Sequence, residues 1–224
     1  MAAHAQSASS QEPGSAARYI PENMSALSLK QLRERARDCQ ACPLYRYGTQ
    51  TVFGQGPRRA RILMVGEQPG DQEDRQGLPF VGPAGHLLDR ALNEAGIERS
   101  AVYLTNAVKH FKWKPAGKRR LHQKPNSREI AACRPWLEAE LAIVRPDVVV
   151  ALGATAAQTL MGRGFRVTHE RGRAFDQVPW AGLFFATVHP SSILRGAPEE
   201  RERAFKAFVA DLKTAAATVS LSHD

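Results

Sequence analysis

The sequence predicts an α/β protein, a three-layer α/β/α sandwich built on a mainly parallel, four-stranded central sheet. Short apolar runs alternate along the chain with helical patterns, and this βαβαβαβα order is typical of a parallel sheet with helices on both faces. The segment from Asp147 to Leu152 contains the run VVVAL, as expected of a strand that is buried on both faces. Three of the four predicted strands also end in polar clusters, at the edge where open α/β sheets place their ligands.

The individual elements follow from apolar periodicity and from end signals. A capping box at Ser28–Gln31 predicts a first helix that runs to about Asp38. Pro135 lies inside a long helical pattern, so we expect it to kink that helix or to mark a restart. The predicted strands are 61–65, 102–106, 147–152 and 183–188, the remaining helices are 83–95, 127–144, 153–161 and 199–216, and residues 164–182 are expected to be irregular or to form short antiparallel strands.

Length and composition indicate one domain with short tails. For 224 residues we expect a single domain over residues 23–218, a small, polar and disordered tail over 1–22 and a second tail over 219–224. No apolar run approaches the roughly eighteen residues of a membrane span, and the start of the chain lacks the apolar centre of a signal peptide. Three cysteines, an odd number, favour a reducing compartment over a disulfide framework. We therefore expect a monomeric cytoplasmic protein.

Positive charge is concentrated in one segment. The formal net charge is +9, and the segment from Lys109 to Lys124 contains seven positively charged residues and no acidic residue. Phe111 and Trp113 are interleaved with these cations; basic side chains neutralise phosphates, and aromatic side chains stack on bases. The segment therefore predicts a loop that binds nucleic acid, and the alternative is a basic loop that only faces solvent.

The polar clusters at the strand ends predict a ligand site. The first strand is followed by Gly66-Glu67-Gln68-Pro69-Gly70, the second ends in Thr105-Asn106, and the fourth is followed by His189-Pro190-Ser191-Ser192. The loop after the first strand also contains Phe80, a large aromatic residue that a solvated loop rarely carries. The alternative for this loop is a surface segment rich in turn-forming residues.

The cysteines give a moderate metal signal. Cys39 and Cys42 are separated by two residues, and Cys133 lies far along the chain. Three cysteines leave a tetrahedral site one ligand short, and the spacing alone fits Zn²⁺ as well as an iron–sulfur cluster. The alternative is that Cys39 and Cys42 are incidental thiols and that Cys133 is simply buried.

Several motifs resemble those of one known superfamily. The loop from Gly66 to Gly85 resembles motif A of the uracil-DNA glycosylase superfamily, in the iron–sulfur form GE-x-PG-x-x-ED-x-x-G-x-PFVG-x-AG, and the HPS tripeptide at His189 resembles its motif B. Three further features resemble the X-type uracil-DNA glycosylases: Gln68 in GEQPGD, the KRRLH segment that ends at His122, and His110 after the motif TN-x-V-K. In the common iron–sulfur family these positions carry Ala, a shorter loop and Cys. The resemblance extends from about Cys39 to Leu212.

The resemblance implies a cofactor and a set of binding residues. The cofactor is a structural [4Fe–4S] cluster with Cys39, Cys42, His110 and Cys133 as its ligands. The implied partner is uracil-containing DNA, preferably single-stranded, in a bacterial-type protein associated with the nucleoid. Phe80 would stack on the extruded base, Asn106 would read the O4 and N3–H edge of uracil, and His189 would donate to O2. Gln68 and Asp71 would help to hold the base, and the DNA backbone would contact Lys118, Arg119, Arg120, Ser191, Ser192 and Arg195.

The implied reaction is excision of uracil followed by a covalent step. His122 would attack C1′ of the deoxyuridine, with Glu67 polarising or deprotonating it and Gln68 and His189 assisting, so that the protein stays joined to the abasic site. One alternative is a conventional multi-turnover iron–sulfur uracil-DNA glycosylase in which His122 only contacts phosphate. The other is a non-catalytic protein that binds uracil or abasic sites in DNA.

Overall fold

The computed structural model describes residues 14–21 and 27–220. The central sheet consists of β1 (Ile62–Gly66), β2 (Val102–Asn106), β5 (Val148–Leu152) and β6 (Leu183–Thr187), and β3 (Trp113–Ala116) and β4 (Arg119–His122) form a separate hairpin. The order in the central sheet is β2-β1-β5-β6, and every neighbouring pair is parallel. The predicted α/β fold with a parallel four-stranded sheet is confirmed.

Helices cover both faces of this sheet. In the described residues they are α1 (Leu29–Ala36), α2 (Asp71–Gln76), α3 (Pro83–Glu94), α4 (Ser127–Val144), α5 (Ala154–Met161), α6 (Val167–Glu170), α7 (Pro190–Arg195) and α8 (Pro198–Ser220). No helix among the described residues has the length and apolar character needed to cross a membrane.

The alternation of side chains along the strands creates two apolar layers. On one face, Met64 and Val150 belong to a buried cluster with residues of α3, α7 and α8. On the other face, Leu63 and Val149 belong to a second buried cluster with residues of α4, α5 and α6. The sheet is therefore buried on both sides, and its carboxyl edge is left to carry the polar residues.

Two sequence-based expectations about regular structure need correction. Helix α4 runs through Pro135 without a restart, and its buried residues Cys133 and Trp136 anchor the helix on both sides of the missing backbone donor; the kink expected as the other outcome stays a prediction. The basic segment is not a loop but the β3–β4 hairpin, in which Trp113 pairs with His122. Gly117, with φ of 59°, supplies the left-handed residue that a tight hairpin turn requires.

Within the described residues, part of each predicted tail forms regular structure. Residues 16–19 form a 3-10 turn in which Ala16 is buried, and the ring of Tyr19 lies 6.1 Å from that of Trp136. This contact attaches the turn to α4, so residues 16–19 belong to the fold. At the other end α8 continues through Ser220, while the remaining positions of the two predicted tails, 1–13, 22 and 221–224, lie outside the described residues, as do residues 23–26.

A buried ion pair stabilises the end of β2. Lys109 Nζ lies 2.6 Å from Glu140 Oε2, and both side chains are almost completely buried. The same ammonium group donates to the backbone carbonyl of Asn106 at 2.7 Å and to Thr105 Oγ1 at 2.6 Å. Glu140 also accepts from the backbone N–H of Gly54. Lys109 is therefore part of the core and not of the cationic surface to which the sequence assigned it.

We expect Glu140→Gln to destabilise the protein by about 3–5 kcal/mol, because it leaves the buried ammonium of Lys109 without a countercharge. The measurement is the denaturant midpoint of unfolding. Glu138→Gln is the matched control on the same helix, since Glu138 pairs with Arg134 at the surface and such pairs contribute about 0–1 kcal/mol. Equal midpoints for the two variants would contradict this account of the buried pair.

Candidate active site

The ends of β1 and β2 bring two predicted site residues together over a glycine. Gly66 is aligned with Asn106 in the parallel register. A Cβ atom at Gly66 would lie 2.3 Å from Asn106 Oδ1 and 2.7 Å from Phe80 Cζ. No larger residue fits there, so the glycine allows the amide and the ring to approach the same point. The Phe80 ring stacks in turn on His189, with centroids 6.2 Å apart and planes 29° apart.

The loop that carries Phe80 is held in an unusual backbone conformation. Phe80 has φ of 57°, in the left-handed region that bulky residues occupy only when their surroundings enforce it. Glu73 accepts hydrogen bonds from the backbone N–H groups of Gly70 at 3.1 Å and Gly82 at 3.0 Å, which closes the loop around its own carboxylate. A Cβ at Gly85 would overlap the Phe80 carbonyl at 1.9 Å, so the start of α3 also packs directly on this residue.

The side chain of Asn106 is suited to recognition of a ligand. It is buried, and its amide makes no hydrogen bond to any other described residue, whereas its backbone carbonyl is bound by Lys109. An amide presents a donor and an acceptor side by side. Both remain for a ligand that offers the complementary pair.

His189 is held as a neutral hydrogen-bond donor. Its Nδ1 accepts from the backbone N–H of Ser191 at 3.2 Å, so the single proton of the neutral ring lies on Nε2. Burial, together with the positive charge of Arg195 and the nearby His122, lowers the pKa of His189 to about 4. The ring therefore stays neutral at physiological pH, with its Nε2–H available to an acceptor.

The serines after His189 shape this turn. Ser191 Oγ lies 2.8 Å from His189 Nδ1 and accepts from Arg195 at 3.1 Å. Ser192 Oγ donates to the backbone carbonyl of His189 at 2.7 Å. Both hydroxyls therefore have partners inside the protein, while Arg195 is exposed and lies close enough to His122 and His189 to lower the pKa of each.

His122 and Glu67 face each other across the site. His122 Nε2 on β4 lies 3.4 Å from Glu67 Oε1 at the end of β1, with 49% and 22% of the two side chains exposed. Burial is the main cause that lowers the pKa of His122; Arg195 lowers it further, and Glu67 opposes both effects. The net shift is downward from the ordinary histidine value. The ring is therefore mainly neutral at neutral pH, with a lone pair on one nitrogen.

Arg120 fastens the hairpin that carries His122. Its guanidinium pairs with Asp71 and, at 2.6 Å, with Asp74, which is completely buried. The guanidinium also lies 5.3 Å from the ring centroid of Phe111 and 5.5 Å from that of Trp113. Arg120 and Asp71 therefore pair with each other. The sequence had assigned Arg120 to the DNA backbone and Asp71 to the base. Phe111, which the sequence counted as a surface aromatic, is buried.

Gln68 clamps the base of the same hairpin. Its side-chain N–H groups donate to the backbone carbonyls of Lys112 and Gln123, both at 3.1 Å, and these residues flank β3 and β4. Its carbonyl oxygen accepts from the Lys112 N–H at 3.3 Å. Gln68 is buried and has its hydrogen-bonding groups occupied, so its contacts in the structure are with the hairpin.

The cationic surface is smaller than the sequence indicates. Besides Lys109 and Arg120, Lys112 is also paired within the protein, with its Nζ 2.9 Å from Glu129. The exposed cations of the segment are Lys114, Lys118, Arg119 and Lys124. They lie on and beside the hairpin that carries His122, as does the exposed side chain of Leu121, and we call these four cations the positive strip.

The three cysteines lie in one buried cluster. Cys39, Cys42 and Cys133 belong to the same apolar group, and all three are free thiols. Burial, with smaller contributions from the other cysteines, raises the pKa of Cys42 to about 11 and that of Cys133 to about 12. Cys39 Sγ accepts from Trp136 Nε1, and Cys133 Sγ accepts from the N–H of Lys109, both at 3.2 Å.

His110 follows Lys109 and is also buried. Its Nε2 lies 3.0 Å from Thr51 Oγ1, and burial lowers its pKa to about 4, so it has the neutral form that a metal requires. No group of three or more His, Cys, Asp or Glu residues in the described ranges is close enough together to hold a single metal ion. Because an iron–sulfur cluster is much larger than one ion, its ligands are spaced further apart.

Comparison with known proteins identifies the family. The sequence profile of the Uracil DNA glycosylase superfamily matches residues 53–213. The chain is 43% identical over 173 residues to a type-4 uracil-DNA glycosylase of Thermotoga maritima, covering 76% of this chain and 85% of the relative. The chain belongs to the uracil-DNA glycosylase superfamily.

Two other relatives support the same conclusion. A type-4 uracil-DNA glycosylase of Pyrobaculum aerophilum is 36% identical over 176 residues, covering 75% of this chain and 86% of the relative. A type-5 uracil-DNA glycosylase of Thermus thermophilus is 36% identical over 164 residues, covering 65% of this chain and 71% of the relative. The match to the superfamily includes every strand end described above.

Some contacts of this superfamily member were not evident from its sequence. Glu73 lies inside the recognised motif, but its two backbone bonds across the loop depend on how the loop closes. Trp113 Nε1 donates to the backbone carbonyl of Tyr47 at 2.7 Å and so fixes the hairpin to the segment after Cys42. Thr155, in the turn after β5, donates to Glu67 Oε2; the only signal in the sequence is a hydroxyl residue just past a strand end.

We expect Arg120→Gln to loosen the β3–β4 hairpin, because Asp74 then loses the cation that compensates its burial. The measurement is amide hydrogen exchange over residues 113–122. We expect exchange to accelerate by at least about tenfold, which corresponds to a decrease of about 1.4 kcal/mol in the free energy of local opening. Arg119→Gln is the matched control, since Arg119 is exposed. Unchanged protection in Arg120→Gln would show that the ion pairs do not hold the hairpin.

Proposed function

We propose that this protein removes uracil from DNA and becomes covalently joined, through His122, to C1′ of the abasic site that it creates. The observation that carries the proposal is the position of His122, 3.4 Å from Glu67, on a hairpin anchored over the carboxyl edge of the sheet. Membership of the superfamily and the names of its relatives support uracil-containing DNA as the substrate.

Recognition of uracil is assigned to Asn106 and Phe80. The free amide of Asn106 complements the O4 and N3–H edge of uracil, whereas cytosine offers an amino group and no N3–H there. The ring of Phe80 provides a flat surface for stacking on a base that has left the helix. Because extrusion from a duplex costs a few kcal/mol of pairing and stacking, we propose that single-stranded DNA is preferred.

Departure of the base is assigned to His189. When the bond between C1′ and N1 breaks, the electron pair stays on uracil and negative charge develops on O2, while the sugar becomes an oxocarbenium ion. The Nε2–H of neutral His189 donates to this oxygen as its charge grows. A single donor of this kind contributes on the order of 3 kcal/mol to the transition state. Water then protonates the departed uracil anion.

The covalent step is assigned to His122. The lone pair of its neutral ring forms a bond to C1′ of the oxocarbenium ion, and the ring becomes an imidazolium. The remaining ring proton then passes to Glu67 or to water, which leaves a neutral glycosyl-imidazole. Such a ring is a poor leaving group, so the adduct persists.

Contacts with the DNA backbone are assigned to the positive strip and to the turn after β6. Lys118 and Arg119 are exposed at the hairpin turn, and Arg195 is exposed beside Ser191. These side chains can neutralise phosphates on both sides of the extruded nucleotide. The hydroxyls of Ser191 and Ser192, the other predicted contacts, support this turn through their bonds to His189.

A conventional, multi-turnover glycosylase is the second candidate, because the relatives are named type-4 and type-5 uracil-DNA glycosylases. In that reaction Glu67 would direct a water molecule to C1′, and His122 would only approach phosphate. Release of many equivalents of uracil per protein, with no shifted band on a denaturing gel, would favour this candidate over the covalent one.

We expect His122→Ser to lose the covalent adduct and to regain slow turnover with water, because the small serine side chain leaves space for a nucleophilic water molecule where the imidazole was. The measurement is a denaturing gel with a single-stranded oligonucleotide that contains one uracil. His169→Ala, an exposed histidine on α6, is the matched control and should form the adduct like the unaltered protein. A heat-stable shifted band with His122→Ala would refute the assignment of His122.

We propose that Cys39, Cys42, Cys133 and His110 hold a [4Fe–4S] cluster. Buried free thiols, N–H donors to two of the sulfurs and a neutral buried histidine fit such a group. When bound, the cluster would link the segment before β1, the residues after β2 and helix α4. Its contribution would be structural, since none of the assigned steps requires an electron transfer.

We expect the purified protein to be brown and to contain iron and acid-labile sulfide, both of which Cys133→Ser should lose together with thermal stability. His110→Cys is the informative partner variant, because a thiolate in place of the imidazole should retain the cluster. The measurements are metal and sulfide analysis and the thermal midpoint. Stoichiometric zinc, or an unchanged iron content in Cys133→Ser, would contradict the assignment.

A further inference from the structure

We infer that Thr155 is a positioning residue that fixes the orientation of the Glu67 carboxylate toward His122. This inference rests on the proposed function. It adds to the site the end of β5, the one strand of the central sheet whose end the recognised motifs leave without a role. The turn after β5 would thereby contribute to the same site as the ends of β1, β2 and β6.

The contact lies in the first turn of helix α5. Thr155 Oγ1 donates to Glu67 Oε2, while the other carboxylate oxygen, Oε1, is the atom that faces His122 Nε2 at 3.4 Å. A hydroxyl proton on one oxygen selects one rotation of the carboxylate about its last bond. In the absence of such a partner, the terminal torsion of a glutamate is broad.

The position of Thr155 is itself fixed by the fold. Its side chain is buried, and its backbone carbonyl accepts from Thr159 Oγ1 at 2.7 Å. Gly153, two residues before Thr155, donates its N–H to the carbonyl of Thr187 at 2.9 Å. A Cβ at Gly153 would lie 2.9 Å from the Cβ of His189, so this turn packs directly behind the second histidine of the site.

Orientation of Glu67 matters because the carboxylate serves the reacting groups directly. Its Oε1 must face either the ring of His122 or a water molecule, depending on which of them attacks C1′. A displacement of about 1 Å at such a position can reduce a rate by about 100-fold. Binding of the DNA depends on the cations and on the recognition of the base, and Thr155 contacts neither.

The test uses Thr155→Val, which keeps the shape of the side chain and removes only the hydroxyl. We expect the single-turnover rate of uracil release at saturating protein to fall by about 10- to 100-fold. The affinity for a uracil-containing single-stranded oligonucleotide should stay within about twofold of the original. Thr155→Ser, which retains a hydroxyl, should restore most of the rate.

Two further variants separate positioning from a merely structural effect. Thr214→Val removes a hydroxyl from α8 that donates to the carbonyl of Ala210 in its own helix and does not contact Glu67, and it should leave the rate of uracil release unchanged. In a Glu67→Ala background, Thr155→Val should cause no further decrease in the rate of uracil release. Thr155 acts through the Glu67 carboxylate, so the effects of the two substitutions are not additive.

The outcomes are decisive for the inference and separable from the proposed function. A rate for Thr155→Val within about twofold of the original, no rescue by Thr155→Ser, or an equal loss in the Glu67→Ala background would each overturn the positioning role. Uracil release without an adduct would refute only the covalent proposal, since the rate of uracil release by Thr155→Val relative to the unaltered protein still tests the role of Thr155. A protein that does not release uracil would overturn both.

Discussion

The ion pairs between Arg120 and the two aspartates of the motif loop are the interaction on which the proposed site depends. A two-stranded hairpin is marginally stable by itself, and this one carries several positive charges that repel each other. Asp74, which is completely buried, provides a countercharge at a fixed position, and the rings of Phe111 and Trp113 lie against the same guanidinium. His122 is held opposite Glu67 because Arg120, two residues earlier in the same strand, is held in this way.

Buried polar contacts also support the other strand-end residues. Lys109 and Glu140 fix the backbone of Asn106 from below, and the backbone of Ser191 fixes the tautomer of His189. Neither contact occupies the group assigned to the ligand, because Lys109 bonds the backbone of Asn106 and Ser191 bonds Nδ1 of His189 and not Nε2. Such support restricts motion without occupying the site, which is the physical requirement for a preorganised centre.

Sequence motifs predicted which residues lie near one another better than they predicted what each residue contacts. Glu67, Phe80, Asn106 and His189 lie together because parallel strands share a carboxyl edge. Gln68, Asp71 and Arg120 were assigned to the base or to DNA, yet in the structure each of them contacts the hairpin or the motif loop. Lys109 illustrates the same difficulty, since a lysine in a basic segment gives no sign that a glutamate 31 residues away will meet it in the core.

The sequence by itself determined the parallel α/β sheet, the order and approximate ends of its main elements, and the strand ends at which the polar clusters lie. It did so because periodicity, glycine and proline positions and capping residues act locally along the chain. Only the tertiary structure decided that the basic segment is a hairpin, which of its cations face solvent, and that Thr155 contacts Glu67. Those features depend on pairings between residues far apart in sequence, and the energy of such a pairing is set by burial, which no local pattern specifies.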